Sequence, residues 1–169
     1  MRNLAFAGAL AGAMALLAPQ ADATVITYQV HIDGAQANTP SPGTGHATLM
    51  LDTTADTLDV NMAYSGLLAP TTNAHIHCCA PPGATGPVII PFLPAGFVTG
   101  ATSGSFSHLF TGLTPTLVAD IQSGLSYINI HTTQFPEGEI RGQVVPEPAS
   151  FALLGVGLLG LGLIRRARG

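Results

Sequence analysis

Ala74-His75-Ile76-His77-Cys78-Cys79 is the densest run of chemically capable side chains in the sequence. On a β-strand, side chains two residues apart share a face, so His75 and His77 point one way and Ile76 the other. Two imidazoles on one face are a way for a sheet to present nitrogen ligands to a metal ion. His131 lies in a second alternating segment, in line with Tyr127 and Asn129. If the two strands are neighbours, His75, His77 and His131 form a three-nitrogen site suited to Zn or Cu. The same spacing also fits a pair of histidines held only by structural hydrogen bonds. Cys78 and Cys79 offer thiolates to such a site, or a vicinal disulfide, or disulfides between chains.

The remaining candidates are sparser. Arg141 is the only cation between Thr24 and Val145; it shares a strand face with Glu139 and is expected to pair with Glu139, Glu137 or another carboxylate. Asp52, Asp56 and Asp59 bracket a turn but lack the regular spacing of a calcium loop. No Gly-x-Ser-x-Gly, His-Glu-x-x-His or Cys-x-x-Cys occurs, so no known nucleophile or hydrolytic motif is present. The chain is read as non-enzymatic.

Composition narrows the function further. Of 169 residues, 47% are hydrophobic and only 8% charged. Lysine is absent, and four of the five arginines sit at the chain ends. Between Thr24 and Val145, seven carboxylates face one arginine, a formal charge near −6. A nucleic-acid binder needs a basic face to release counterions, and this segment has none.

The elements that must position the histidines are short strands. Period-2 alternation recurs at Thr24–Ile32, His46–Leu51, Leu58–Tyr64, Ala74–Cys78, Val88–Ile90, Ser105–Phe110, Tyr127–His131 and Glu139–Val145, with Gly and Pro between them. Thr114-Pro115 is a helix start, and Leu113, Leu117, Ile121 and Leu125 repeat every four residues up to and past Gly124. The expectation is an all-β, antiparallel Greek-key β-sandwich of about eight strands with one short helix, over residues 24–145.

Both ends read as addresses. Residues 1–23 carry Arg2, an apolar run from Leu4 to Ala18 and a small-x-small cleavage site at Ala21 and Ala23, the layout of an export signal peptide. At the other end, Pro146-Glu147-Pro148 precedes 16 uncharged residues and then Arg165-Arg166. Those 16 residues span about 24 Å as a helix, short of a bilayer core of roughly 30 Å, and the arginines set the cytoplasmic side. Residues 146–169 thus make a hydrophobic sorting helix, a transmembrane segment fit for transient tethering to the inner membrane.

Two resemblances follow from these residues. The tail resembles the PEP-CTERM sorting signal, which implies an exosortase-type processing enzyme as partner and delivery to the cell envelope or extracellular matrix, where extracellular polysaccharide is a further partner. The stretch from Ala74-His75-Ile76-His77 through Gly86-Pro87-Val88, Asn129-Ile130-His131-Thr132 and Gly138-Glu139-Ile140-Arg141-Gly142-Gln143 resembles the CHRD domain. That likeness implies an extracellular β-sandwich with a structural or binding role and no carried-over catalytic activity. Cys78-Cys79 departs from the Gly-Pro more usual there. The alternative reading is a Cu/Zn metal-binding protein, redox-active if the ion leaves a position open.

Overall fold

The computed structural model describes residues 25–146. The proposed signal peptide, the sorting helix, Glu147, Pro148, Arg165 and Arg166 lie outside the described residues.

Eight strands form in chain order: β1 Val25–Asp33, β2 Thr44–Asp52, β3 Thr57–Ser65, β4 Thr71–His77, β5 Val88–Pro91, β6 Gly104–Thr111, β7 Ser126–Thr132 and β8 Ile140–Val144. Helix α1, Pro115–Gln122, lies between β6 and β7. Each expected strand is present, within a few residues of its bounds. The helix starts where its cap residue dictates: Thr114 Oγ1 accepts from the Leu117 amide at 3.3 Å and Pro115 occupies the first turn.

Alternation suggests two stacked sheets. The hydrogen-bonded order is instead one antiparallel sheet, β5-β4-β7-β8-β1-β2-β3-β6. The period-2 signal identifies an inner face but says nothing of whether adjacent strands stack or pair. The deciding joint is short: β1 meets β8 through the Asp33–Arg141 register pair, which carries the ladder from one half to the other. The sheet curls until its two edge regions meet, with Phe92 after β5 stacked on Phe106 of β6 at 4.5 Å between ring centroids.

The concave face holds the core. Tyr28 and Ile32 of β1, Leu49 of β2, Val60 of β3, Ile76 of β4 and Ile128 of β7 are fully buried in it. Removing even one such side chain from water is worth about 1.5–3 kcal/mol, so this face fixes the register of every strand. Strand β7 differs from the rest, because all seven of its residues are buried. Its apolar side faces the core, and its polar side, Tyr127, Asn129 and His131, is covered by loops. A polar strand face survives burial only when its groups find partners.

One of those covering loops is tied down by a buried carboxylate. Glu139, just before β8, is fully buried. Its Oε1 accepts from Ser41 Oγ and the Leu68 amide, both at 2.6 Å, and its Oε2 from Thr132 Oγ1 at 2.8 Å. Three segments far apart in sequence thus converge on one side chain.

Candidate metal centre

Strands β4 and β7 are neighbours, with His75 opposite Asn129 and Asn73 opposite His131. The polar faces of the two strands therefore coincide, and the three histidines meet. His75 Nδ1 lies 3.2 Å from His77 Nε2 and 3.1 Å from His131 Nε2. One ligand atom from each residue falls within 4.8 Å of the others. Two nitrogens bound to a single zinc ion at tetrahedral angles sit about 3.3 Å apart, so two of the three separations already match a shared ion.

The outer nitrogens settle the tautomers. His77 Nδ1 is 2.9 Å from the Gly86 carbonyl oxygen, and His131 Nδ1 is 2.7 Å from that of Pro136. A carbonyl only accepts, so both Nδ1 atoms carry the proton and both Nε2 atoms are bare lone pairs. These lone pairs converge on His75 Nδ1, where one proton cannot serve both well. A cation suits that arrangement, and backbone carbonyls orienting the far side of the rings are the usual support of histidine ligands.

Electrostatics keep the rings neutral. Burial, then the neighbouring His131 and His77, pushes His75 down to about 4. Burial also lowers His77 and His131, although their bonds to Gly86 and Pro136 favour the protonated form. An unfolded histidine titrates near 6.5, so between that value and about 4 the unfolded chain binds more protons than the folded one. Stability of the metal-free protein is therefore full above pH 6.5 and is lost as pH falls toward 4. Thermal unfolding between pH 7 and pH 4 is expected to show this fall, with a shallower slope for His75→Ala.

A layered support stands behind His77. The Tyr127 ring stacks on it at 4.8 Å with 4° between planes, and the Arg141 guanidinium, from β8 on the other side of β7, lies 3.4 Å from the Tyr127 centroid. Arg141 Nη1 donates to the Ala84 carbonyl at 2.6 Å and Nη2 to that of Pro81 at 3.3 Å. Both carbonyls belong to the 78–87 loop that carries Gly86. The Gly86 amide in turn donates to Tyr127 Oη at 3.0 Å. Gly86 is therefore gripped at both its N–H and its C=O, and a Cβ there would collide with the Cys78 carbonyl.

This placement corrects one expectation and decides between the readings of the cysteines. Arg141 does not pair with Glu139 or Glu137; among the described residues the one contact between a basic side chain and a carboxylate is His31 Nε2 to Asp33 Oδ2, at 3.1 Å. Its charge is met by the Tyr127 face and by neutral oxygens, including Gln143 Oε1 at 3.1 Å. Of the alternatives open for Cys78 and Cys79, the vicinal disulfide is the one present, on the side away from the histidines. Cys79 Sγ lies 3.3 Å from Asp120 Oδ1 of α1. Alternation past His77 sends Cys78 to the opposite side of the strand. Asp52 is a turn former, its Oδ1 accepting from the Thr54 and Ala55 amides at 2.8 Å.

Sequence reasoning found the three histidines and the Tyr127-Asn129-His131 row. It missed the Gly86 and Pro136 carbonyls and the role of Tyr127, because any residue carries a carbonyl and stacking depends on register. Residues 28–144 match the family model of the CHRD domain.

The chain belongs to the CHRD domain family.

Residues 144–167 match the PEP-CTERM protein-sorting motif. No curated protein and no solved structure matches the chain. The CHRD match spans β1 to β8 and so contains all three histidines, the disulfide and Arg141. The sorting motif begins where β8 ends, and it implies an exported protein, sorted at the membrane and processed by an exosortase-type enzyme. Among the described residues, no helix is long and apolar enough to cross a membrane.

Proposed function

We propose that this CHRD domain is a metal-binding module, holding one Cu or Zn ion through His75, His77 and His131, on a protein delivered by its sorting tail to the cell envelope or extracellular matrix. The convergence of two bare Nε2 lone pairs on His75 Nδ1, inside a frame of backbone carbonyls, carries this reading. Neutral imidazoles are borderline ligands that suit both metals. His75 and His131, each 9% exposed, are largely desolvated before any ion arrives, and the carbonyls of Gly86 and Pro136 turn the bare Nε2 atoms of His77 and His131 toward His75. When bound, the ion supplies a Lewis-acidic centre with room for a fourth ligand. The chain's own residues orient the rings, keep them unprotonated and limit water. We read the role as binding, with no catalytic residue assigned.

The test is metal analysis of the exported protein, purified from the periplasm without a histidine tag and beside a His75→Ala/His77→Ala variant. About one Cu or Zn per chain is expected in the parent and none in the variant. A metal-free parent that takes up neither ion on titration, while the variant only loses stability, sinks the proposal and makes the histidines scaffold.

A further inference from the structure

The disulfide and α1 hold a second set of metal-capable atoms, on the side of β4 away from the histidines. Cys78 Sγ, Cys79 Sγ and a carboxylate oxygen of Asp120 lie within 4.8 Å of one another. Cys79 Sγ is 3.3 Å from Asp120 Oδ1, and Cys78 Sγ is 3.6 Å from the Asp120 carbonyl oxygen. While the two sulfurs are bonded to each other neither carries a proton, so neither donates to the Asp120 oxygens facing it.

The frame around these atoms is fixed independently of the disulfide. The Asp120 carbonyl accepts from Ser123 Oγ at 2.6 Å and Ser126 Oγ at 2.8 Å, which locks the last turn of α1 to the start of β7. The cysteine loop is held by Cys78 N–H to the Pro87 carbonyl at 3.0 Å and Ala80 N–H to the Leu125 carbonyl at 3.1 Å. Opening the disulfide therefore frees two thiols while the loop and the Asp120 backbone stay in place. Cys79 is exposed and Cys78 buried, so a reductant meets Cys79 Sγ first.

We infer that reduction of Cys78–Cys79 creates a further, sulfur-rich metal site formed by Cys78, Cys79 and Asp120, so that the redox state of this pair sets whether the domain takes up an ion there. The reductant is a dithiol. Its thiolate attacks Cys79 Sγ and displaces Cys78 as a thiolate. Its second thiol then closes on the mixed disulfide and releases Cys79. The dithiol leaves as a cyclic disulfide, and the pair gains two electrons and two protons. A Zn²⁺ ion displaces both protons and binds two thiolates at about 2.3 Å and the Asp120 carboxylate at about 2.0–2.2 Å. The two sulfurs then stand about 3.8 Å apart, a separation that side-chain rotation supplies.

This inference does not rest on the histidine site, and its test separates the two. The full exported chain is reduced with dithiothreitol, freed of reductant by anaerobic gel filtration and titrated with Zn²⁺ beside the oxidised chain. Two ions per chain are expected reduced and one oxidised. In His75→Ala/His77→Ala the counts become one reduced and none oxidised, and in Cys79→Ser they are one in both states. Asp120→Asn is expected to weaken the second ion at least tenfold. Cd²⁺ in place of Zn²⁺ should give thiolate-to-metal charge-transfer absorption in the reduced parent and not in the oxidised one. The inference is overturned if reduction adds no ion, or if the added ion survives Cys79→Ser. If the oxidised parent binds nothing yet the reduced one binds a single ion that Cys79→Ser removes, the second site stands and the histidine site falls.

Discussion

Arg141→Met is expected to lower the stability of the domain by about 2–3 kcal/mol and its metal affinity about 10–100-fold. Arg141 is 6% exposed, so its cation and the groups around it are largely cut off from water. Methionine approximates the stem but brings no donors: the half-buried Ala84 carbonyl loses its partner, at about 1 kcal/mol, while the Pro81 carbonyl, on an exposed residue, still accepts from the Ala84 amide at 3.0 Å. The stacked cation over Tyr127 is lost too, an interaction of about 2 kcal/mol when desolvated. Relief from burying a charge offsets part of this cost. The affinity loss follows because the loop gripped by Arg141 carries the carbonyl that orients His77. Arg141→Lys keeps the charge without the planar fork or the stack and is expected to recover less than half of either loss. Urea unfolding and metal titration on the same samples check both numbers. A methionine variant equal to the parent in both measurements refutes the buttress.

Glu139→Gln should cost about 2–4 kcal/mol while leaving the metal stoichiometry unchanged. The carboxylate accepts three hydrogen bonds in a fully buried place. An amide keeps one acceptor oxygen and turns its NH₂ toward a donor, either Thr132 Oγ1 or the Ser41 and Leu68 pair. The better arrangement leaves Oε1 on the Ser41 and Leu68 donors and makes Thr132 Oγ1 accept from the NH₂, at the cost of the hydroxyl's own donation and of the charge-assisted bonds. The same urea series reads the loss, and metal analysis of the folded fraction reads the stoichiometry. Loss of the ion without loss of stability would place Glu139 in the metal centre and contradict the assignment of this carboxylate to the loops alone.

The contrast between these two residues marks where sequence reasoning stops. Alternation named all eight strands and the shared face of His75 and His77, because period-2 burial is a local property of the chain. The row Tyr127, Asn129, His131 was legible for the same reason. Whether β1 pairs with β8 or merely packs near it is a long-range fact resting on one register pair, and the expected sandwich became a single curled sheet. Glu139 and Arg141 share a strand face with opposite charges, so an ion pair is the obvious local reading. Tertiary partners override it: Ser41 and Leu68 reach Glu139 from loops about 70–100 positions away, and Tyr127 takes the arginine. The cysteines pointed the same lesson in reverse. Their adjacency left both a joint site with His77 and a vicinal disulfide open; alternation sends Cys78 to the opposite side, toward α1, and the disulfide is the one present.

The claim that three imidazoles and no sulfur hold one ion is tested most directly by X-ray absorption on the oxidised, exported protein loaded with one equivalent of Zn or Cu. The expected spectrum has about three nitrogen scatterers at about 2.0–2.1 Å with the outer-shell pattern of imidazole rings, and it loses that pattern in His75→Ala/His77→Ala. A sulfur shell at about 2.3 Å, or a shell of light atoms without imidazole scattering, would contradict the account and return the histidines to the scaffold.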